Sequence, residues 1–527
     1  MAAALKLVYG DTTVDLSSGD YAASFTPRDG GSRLTVTESA RVRIQASSLA
    51  NMQTDIRNIN NAIAAADRRR KTGIGDKVYV TFQESGDADV YRSEIWAERP
   101  NELPGRVDII EPTMWDRIFT AFVAQVNVMW SRRNYWEGDS ETELSLSNGS
   151  GSGTGGRTVT NPHGAAVISA LTTISFTSPG TISDSANGLA IFAVGDVILV
   201  RGSASNDSVY TVVTAVAGAI TVNEPVATEG AGATVSIYDI TNYVHIDSAD
   251  ILGVAAAGGP ATRIELTNSD AGADLETVWM GNNYQSEPDD LAHLLEFEHS
   301  DTGSNTSDAA ASGEIYRQYT ITTTEAKITA WTISSETLVA AASAYFKSII
   351  RFFNGNNITD IKLRIKIFYQ SQLLYEGPQI EFDDTHAGIS RLWRELDTIQ
   401  LPPYFTEGNT PTDLTFELWG VSTSGGSEIV NMDVIVLLAV NGFRKLRSSS
   451  GVAQNSILID DGILDVFYQS VSSEFVRDIT VEGSAIQLYP GVDNRIYFIQ
   501  HSKTANIADV NRTMSVQLFY RPRRITL

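Results

Sequence analysis

Alternation of apolar and polar residues is the feature that most constrains the fold of this chain. The segment Ile361–Tyr369 (IKLRIKIFY) places an apolar residue at every second position and Lys or Arg between them. Successive side chains of a strand point to opposite faces, so this pattern predicts a half-buried antiparallel strand. Leu414–Trp419 alternates in the same way. Asn431–Val440 is largely apolar and predicts a central strand that is covered on both faces. We therefore expect a mainly β fold.

One segment has helical periodicity instead. Ser47 or Ser48 is placed to cap its start, and Arg68–Lys71 puts cations near its end, where the helix dipole favours them. Gly73 then provides a stop. The apolar residues recur at spacings of three and four, on one face of a helix: Leu49, Met52, Ile56, Ile59 and Ile63.

Size and charge exclude several classes of protein. The chain has 527 residues, enough for about three or four domains, and no cysteine, which excludes disulfides, thiolate metal sites and cysteine nucleophiles. Its net charge of −24 argues against a protein that reads DNA, although it is compatible with a channel through which DNA slides. We expect no membrane insertion, because no apolar run approaches the ~20 residues of a membrane span. We expect no signal peptide, because the first residues (MAAALKLVYGDTTVDL) lack a basic start and a proper apolar core.

The stretch Val481–Arg524 ends the sequence with three short alternating segments, a Pro490-Gly491 turn signal and the basic tail Arg521–Arg524. This layout resembles the closing β-module of phage and prophage tail proteins. The resemblance implies a structural role and not a catalytic one. The matching residues are Gly483, Leu488, Pro490, Gly491, Asn494, Tyr497 and Tyr520–Arg523.

The rest of the chain extends this resemblance. Residues 1–137, strands flanking one helix, resemble the tail-tube or distal-tail domain, a β-sandwich or barrel of which six copies form a ring around a DNA channel. Residues 138–447 resemble a jelly-roll of the galactose-binding type. Residues 165–240 interrupt it and resemble a small SH3-like β-barrel. We expect residues 448–527 to form a separate C-terminal β-module.

Taken together, the resemblance implies a structural protein of a phage tail, assembled in the host cytoplasm. It would form a distal-tail or baseplate ring, a homo-hexamer, that connects the tail tube to peripheral or adsorption proteins, and DNA would pass through without specific binding. The candidate assembly contacts are the apolar helix face (Leu49, Met52, Ile56, Ile59, Ile63) and the two basic clusters (Arg68, Arg69, Arg70; Arg521, Arg523, Arg524).

A receptor- or glycan-binding tail or head-fibre protein is the main alternative. Trp331, Trp393 and Trp419 lie within the predicted sandwich, where exposed rings would stack on a host-surface sugar and buried rings would belong to the core. A virion-associated glycan hydrolase is a more distant alternative, because no recognisable catalytic constellation is present. We therefore expect no enzymatic activity.

The candidate metal and cofactor motifs are all weak. Acidic pairs at Asp289-Asp290, Asp383-Asp384 and Asp460-Asp461 are calcium candidates or solvated turns, and none has the alternating spacing of a calcium loop. His293 and His299 share a predicted strand face with apolar residues, which disfavours a metal site with the intervening glutamates. A G-x-G-x-x-G match at 151–156 is followed by strand-like residues instead of a helix. No metal and no cofactor is predicted.

Overall fold

The computed structural model describes a defined set of residues: 3–28, 35–72, 75–86, 88–97, 103–114, 122–148, 151–161, 167–239, 241–247, 259–260, 263–269, 274–285, 294–297, 300–307, 311, 315–333, 345–353, 358–369, 371–382, 391–400, 414–439, 443–460, 466–470, 472, 474–491, 493–502 and 513–524. Several sequence candidates lie outside these residues: Gly73, Asp289, Asp290, His293, His299, Asp383, Asp384 and Asp461.

The described residues are mainly β, as predicted, with one α-helix among them. The chain divides into two compact units. Unit one contains Met1–Thr142, Leu252–Gly259 and Tyr520–Leu527, and unit two contains Glu143–Ile251 and Pro260–Phe519. No helix in the described part of the chain combines the length and the apolar character that a membrane span requires.

Unit one consists of two antiparallel sheets and the helix around one hydrophobic core. Sheet A has the strand order β2 (Thr12–Asp15), β1 (Ala4–Tyr9), β5 (Val78–Gln83), β6 (Tyr91–Glu94), β9 (Trp136–Gly138) and β44 (Arg523–Arg524). Sheet B has the order β3 (Tyr21–Ser24), β4 (Thr35–Ala46), β8 (Phe122–Arg133) and β7 (Gly105–Met114). The strands β1 and β2 form a hairpin around Gly10, which has a positive φ of 52°.

The helix α1 spans Leu49–Thr72 and confirms the helical periodicity of the sequence. Ser48 Oγ accepts a hydrogen bond from the backbone N–H of Asn51 (3.1 Å) and so caps its first turn. Met52, Ile59 and Ile63 are buried in the core of unit one. The apolar face of α1 therefore packs into the hydrophobic core of its own unit.

Unit two is built on two sheets whose strands come from distant parts of the sequence. Sheet C has the order β10 (Thr142–Glu143), β43 (Thr513–Tyr520), β23 (Arg263–Asn268), β37 (Ile457–Asp460), β38 (Val466–Gln469) and β39 (Phe475–Val476), with β13 (Arg157–Thr160) also beside β43. Sheet D has the order β12 (Gly151–Gly153), β11 (Leu146–Asn148), β21 (Tyr243–Ile246), β42 (Asp493–Ser502), β24 (Leu275–Gln285), β36 (Arg444–Val452) and β40 (Ile479–Gly483). Two further short strands are β22 (Gly259–Pro260) and β41 (Gln487–Leu488).

A first insertion lies between β13 and β21 and forms its own core. Its sheet E has the order β14 (Ile168–Leu171), β20 (Val235–Asp239), β17 (Val197–Arg201), β18 (Val209–Val216), β19 (Ala219–Val222), β16 (Thr181–Asp184) and β15 (Ile174–Thr177), with a 3₁₀ turn at Gly188–Ile191. A bulge in β18 at Val213 lets the sheet fold over its core. Because β14 and β15 remain at opposite ends of the order, the described strands do not close into the expected barrel.

A second insertion lies between β24 and β36 and forms a two-sheet sandwich. Sheet F has the order β26 (Ser304–Ser307), β27 (Ile315–Ile321), β35 (Glu428–Ala439), β29 (Tyr345–Phe353) and β33 (Arg391–Gln400), with β25 (Leu294–Glu296) also beside β35. Sheet G has the order β28 (Ala326–Ile333), β34 (Leu414–Ser422), β30 (Ile361–Tyr369) and β31 (Gln372–Glu376), with β32 (Ile380–Glu381) also beside β30 and a 3₁₀ turn at Ile358–Asp360. The predicted strands Ile361–Tyr369 and Leu414–Trp419 are β30 and most of β34.

The strand β35 is covered on both faces, which confirms the prediction for its described residues. Ile435 and Leu437 lie in the core of the second insertion. Val434 and Val436 lie in another cluster, the junction core, which joins side chains of sheet D and of both insertions. The junction core comprises Val197, Leu199, Tyr238, Tyr243, Trp279, Ile349, Trp393, Val434, Val436, Leu438, Tyr497 and Ile499.

The expected separate module at 448–527 is wrong. Its strand β42 pairs with β21 and β24 in the interior of sheet D. Its strand β43 pairs with β13 and β23 in the interior of sheet C. The last strand, β44, belongs to sheet A of unit one. The alternating patterns located these strands correctly, but their partners lie hundreds of residues away.

Candidate functional site

A cleft of about 290 Å³ opens in unit two between sheet D and the edge of the second insertion. We call it the Glu395 cleft. It is lined by Thr277, Trp279, Glu381, Phe382, Trp393, Arg394, Glu395, Lys445, Arg447 and His501. Tryptophan and phenylalanine rings form its apolar part, and three cations and two carboxylates supply polar atoms.

Strand register explains the sheet D side of the cleft. On β24, Trp279 is directly opposite Lys445 of β36, and Thr277 is opposite Arg447. On the other side of β24, Thr277 is opposite His501 of β42. Residues that are paired across antiparallel strands point to the same face, so this register places all five side chains on one face.

Glu395, on the edge strand β33, links the two sides of the cleft. Its Oε1 accepts hydrogen bonds from Trp279 Nε1 (2.9 Å) and Lys445 Nζ (2.7 Å), and its Oε2 lies 2.8 Å from Lys347 Nζ. Burial alone would raise the pKa of Glu395, but the hydrogen bonds from Lys347, Lys445 and Trp279 outweigh it and lower the pKa to about 2. Glu395 is therefore a fixed, ionised acceptor at neutral pH.

Trp393 forms the deepest aromatic part of the cleft and is 0% exposed. Its indole Nε1 meets no hydrogen-bond acceptor among the described residues. On β29, Arg351 lies directly opposite Trp393 and forms an ion pair with Asp433 (2.8 Å) in which both side chains are fully buried. A bulge in β35 opposite Arg351 brings Asp433 to this position.

The rim of the cleft is cationic and more accessible. The side chain of Arg447 is 48% exposed, and its Nη2 lies 3.1 Å from Glu276 Oε1. Arg394 Nη1 donates a hydrogen bond to the carbonyl of Trp393 (3.0 Å). The carboxylate of Glu381 is paired with Lys362. Donors and acceptors thus surround an apolar floor in nearly balanced numbers.

The three tryptophans proposed from the sequence as stacking platforms have different positions. Trp331 is buried in the core of the second insertion and donates to the carbonyl of Glu296 (2.8 Å). Trp419 is half-buried, with Lys366 Nζ 4.0 Å from its ring centroid. Only Trp393 lines the cleft, and because it is fully buried it cannot offer a ring face to a ligand. Trp279 was missed, because its role depends on register with β36 and β42.

The proposed assembly residues mostly make contacts within their own unit. Arg70 pairs with Asp67 (3.0 Å), and Arg69 donates to the carbonyl of Gly75. Arg523 is buried beside Glu137, and Arg521 donates to the carbonyls of Gly138 (3.2 Å) and Asp139. The apolar face of α1 is covered by the core of unit one, so Met52, Ile59 and Ile63 are inaccessible to a neighbouring subunit. Arg68 is exposed, and the side chain of Arg524 is not among those that the structure describes.

No group of three or more metal-ligating side chains occurs among the described residues. Of the acidic pairs, Asp460 is described, and its carboxylate forms a bidentate pair with Arg444 (2.7 Å to both Nε and Nη2) inside unit two. An ion pair of this kind uses the oxygens that a calcium ion would need. The glycines at 151 and 153 lie in the short strand β12, not at the start of a helix.

Comparisons with known proteins do not identify a function for this chain. No family model and no curated protein matches the chain. Among solved structures, a family 35 carbohydrate-binding module from Clostridium thermocellum is 15% identical and covers 28% of this chain and 100% of its own, with a TM-score of 0.20. The insecticidal delta-endotoxin Cry8Ea1 from Bacillus thuringiensis is 6% identical over 57% of this chain and 53% of its own (TM-score 0.20). Infectious bursal disease virus, Gx strain, is 8% identical over 73% and 80% (TM-score 0.17). At such low TM-scores these likenesses carry no argument.

Proposed function

We propose that this chain is a non-catalytic binding protein that holds a saccharide in the Glu395 cleft. The observation that supports this function best is the constellation of Trp279, Glu395 and Lys445, which fixes a carboxylate acceptor and an ammonium donor in a cleft whose apolar lining comes from largely buried aromatic side chains (Trp279 is 4% exposed). Sugar-binding sites need such a mixture, because hydroxyl groups both donate and accept while the C–H faces of the ring contact apolar surface.

Charge balance favours a neutral or weakly charged sugar. Three cationic side chains (Arg394, Lys445, Arg447) face two carboxylates (Glu381, Glu395) in a chain whose net charge is −24. The cleft thus avoids the strongly acidic character of the whole molecule. Its volume of about 290 Å³ is just below the usual range for ligand sites, about 300–1,000 Å³, and suits a short or terminal saccharide.

The state of Glu395 supports binding without hydrolysis. A glycoside hydrolase needs a carboxylic acid that is protonated near its working pH to donate to the leaving oxygen. Glu395, with its pKa lowered to about 2, holds no proton to donate at neutral pH. We therefore expect no release of reducing sugar from any oligosaccharide that the cleft binds.

A glycan array followed by calorimetric titration tests this proposal. The purified full chain is applied to neutral and acidic oligosaccharides, and the best ligand is titrated into wild type, Arg447→Ala and Arg106→Ala. Arg447→Ala should weaken binding about tenfold, the loss of about one hydrogen bond to a charged group. Arg106 is a matched control, because its side chain is also exposed (63%) and paired with one acid, Asp108 (3.0 Å). An array without saturable binding, or an equal loss in both variants, would reject the cleft as a sugar site.

The structural particle role implied by the phage-tail resemblance is the second candidate. The strand β7 favours it, because β7 is at the edge of sheet B and its Ile109 is 58% exposed. An exposed edge strand with an apolar side chain can pair with a strand of another copy. Negative-stain images of the full chain would support this role if they show rings that Ile109→Lys abolishes. A monomer at all concentrations would contradict it.

A further inference from the structure

One face of sheet A carries a row of polar residues that crosses all six strands. It is the face that points away from the hydrophobic core of unit one. Cross-strand pairing places the six residues side by side in the order Asp15, Lys6, Thr81, Arg92, Glu137 and Arg523. Glu137 is shared by two cations, with Arg92 Nε 3.1 Å from Oε1 and Arg523 Nε 3.8 Å from Oε2.

Aromatic rings hold the guanidinium groups of this face in place. Arg92 Cζ lies 4.3 Å from the ring centroid of Tyr79, and Arg523 Cζ lies 3.9 Å from that of Tyr135. Stacking of this kind restricts the side chain while it leaves the N–H edge free to bind. Arg92 and Arg523 are therefore positioned before any ligand arrives.

Two arginines on this face, Arg92 and Arg521, have guanidinium N–H groups that donate to no acceptor among the described residues. Arg92 uses its Nε on Glu137, and no acceptor in the described part of unit one meets its Nη1 or Nη2. Arg521 uses its Nη1 on the carbonyls of Gly138 and Asp139, and its Nε and Nη2 likewise meet none of the described acceptors. Because Gly138 pairs with Tyr91, the neighbour of Arg92, Arg521 is anchored beside the strand that carries Arg92.

The electrostatics of the face also favour an anion. Burial, and then the positive charge of Arg92, lowers the pKa of Arg521 against the smaller opposing effects of Glu137 and Glu141. The two guanidinium groups therefore repel each other, and an anion between them would relieve this repulsion. Burial also raises the pKa of Tyr79, so its hydroxyl stays protonated and remains a donor near both arginines.

We propose that Arg92 and Arg521 form a binding site for an oxyanion, that is a carboxylate, sulfate or phosphate group. Their free N–H groups match the two or three oxygens of such a group, and guanidinium forks bind these anions with paired hydrogen bonds. This site is in unit one and does not depend on the Glu395 cleft.

Calorimetric titration of the full chain with sulfate, phosphate and acetate, at an ionic strength held constant with chloride, tests the site. Saturable binding of at least one anion is expected. Arg521→Gln should weaken it about tenfold, and Arg521→Lys should restore only part of it because lysine lacks the fork. Arg106→Gln, at an exposed arginine on another sheet, should leave it unchanged.

The anion that binds most tightly would indicate the chemical class of the natural ligand. A preference for sulfate or phosphate would indicate an esterified ligand, and a preference for acetate would indicate a carboxylate. Wild type that binds none of the three more strongly than chloride would overturn the proposal. The wild-type titration decides this even if circular dichroism shows that Arg521→Gln does not fold.

Discussion

Trp279 donates its indole N–H to Glu395 across 2.9 Å, and this hydrogen bond joins sheet D to the second insertion of unit two. The two residues are far apart in sequence and meet because β24 and β33 border the same cleft. Lys445, which is opposite Trp279 in sheet D, binds the same carboxylate oxygen. The polar part of the cleft and the attachment of the insertion therefore depend on one side chain, Glu395.

Glu395→Gln should destabilise unit two by about 2–3 kcal/mol at pH 7, because a neutral amide removes the counter-charge of Lys347 and leaves Lys445 with Glu482 alone (3.2 Å). The folded pKa lies below the ordinary value, so this stabilisation is present above about pH 4.5 and is lost as the pH falls towards about 2. Urea unfolding of both proteins at pH 7 and pH 3, followed by tryptophan fluorescence, measures the difference. Glu381→Gln, at an exposed carboxylate of the same cleft, is the control. A pH-independent difference would contradict this account.

Asp196 should make the first insertion less stable as the pH rises. Burial, and then the charge of Asp239, raises the pKa of Asp196 to about 7, so the folded chain keeps a proton that the unfolded chain releases above about pH 4. Stability is full below that value and falls until about pH 7. Asp196→Asn, which mimics the protonated acid, should remove the contribution of Asp196 to this decline and stabilise the insertion by about 2–4 kcal/mol at pH 8. Burial also raises the pKa of Asp239, which adds a decline of its own that the variant keeps.

Thermal unfolding at pH 5 and pH 8 measures the effect of Asp196→Asn. Asp207→Asn is a control in the same module, because Asp207 is exposed and accepts a hydrogen bond from the backbone of Ser203 (2.7 Å). If wild type and Asp196→Asn lose stability equally between the two pH values, Asp196 does not carry the dependence.

Removing one partner of the ion pair between Arg351 and Asp433 should lower the free energy of unfolding strongly, whereas replacing both partners by apolar residues should lower it little. Arg351→Met removes the cation that is ion-paired with the fully buried Asp433 and should lower the free energy of unfolding by about 3–5 kcal/mol. The double variant Arg351→Met/Asp433→Leu buries no charge and should recover most of this loss. Chemical denaturation of wild type, Arg351→Met, Asp433→Leu and the double variant completes a double-mutant cycle and gives the coupling free energy between the two residues. Additive effects of the two single variants would show that the pair is not coupled.

Local patterns of the sequence predicted where strands lie, but they did not predict which strands pair with each other. Alternation correctly located β30, β34 and β43, and the spacing of three and four located α1 with its Ser48 cap. Alternation fixes which face of a strand is buried, but it carries no information about which strand pairs with it. For this reason the C-terminal strands were assigned to a module of their own, although β43 pairs with β23 and β13.

The candidate site was harder to predict than the fold, for the same reason. Trp279 and Lys445 become neighbours only through the register of β24 and β36, and Glu395 joins them from an insertion. Arg521 and Arg523 were recognised as a basic cluster, but their proximity to Glu137 and Gly138 depends on β44 pairing with β9. A site that is assembled from distant strands leaves no short motif.

The motif Pro490-Gly491 with Asn494 is an exception, because its signal is local. Asn494 Oδ1 accepts from the backbone N–H of Tyr489 (3.1 Å), and its Nδ2 donates to the carbonyl of the same residue (3.0 Å). The side chain thus closes the turn before β42 and is itself fully buried. A turn that is held by its own residues can be recognised from a few letters.

Two glycines of the same closing stretch should respond differently to alanine. Both have a positive φ, 87° for Gly483 and 76° for Gly491, so alanine is strained at each by about 1 kcal/mol. At Gly483 a Cβ would also lie 2.3 Å from the carbonyl oxygen of Phe443, whereas at Gly491 it would meet nothing within 4 Å. Gly483→Ala should therefore destabilise unit two by about 1–3 kcal/mol more than Gly491→Ala, because β40 must move away from β36. Parallel urea titrations of the two variants and wild type measure this difference, and equal losses would show that backbone strain alone selects glycine at both positions.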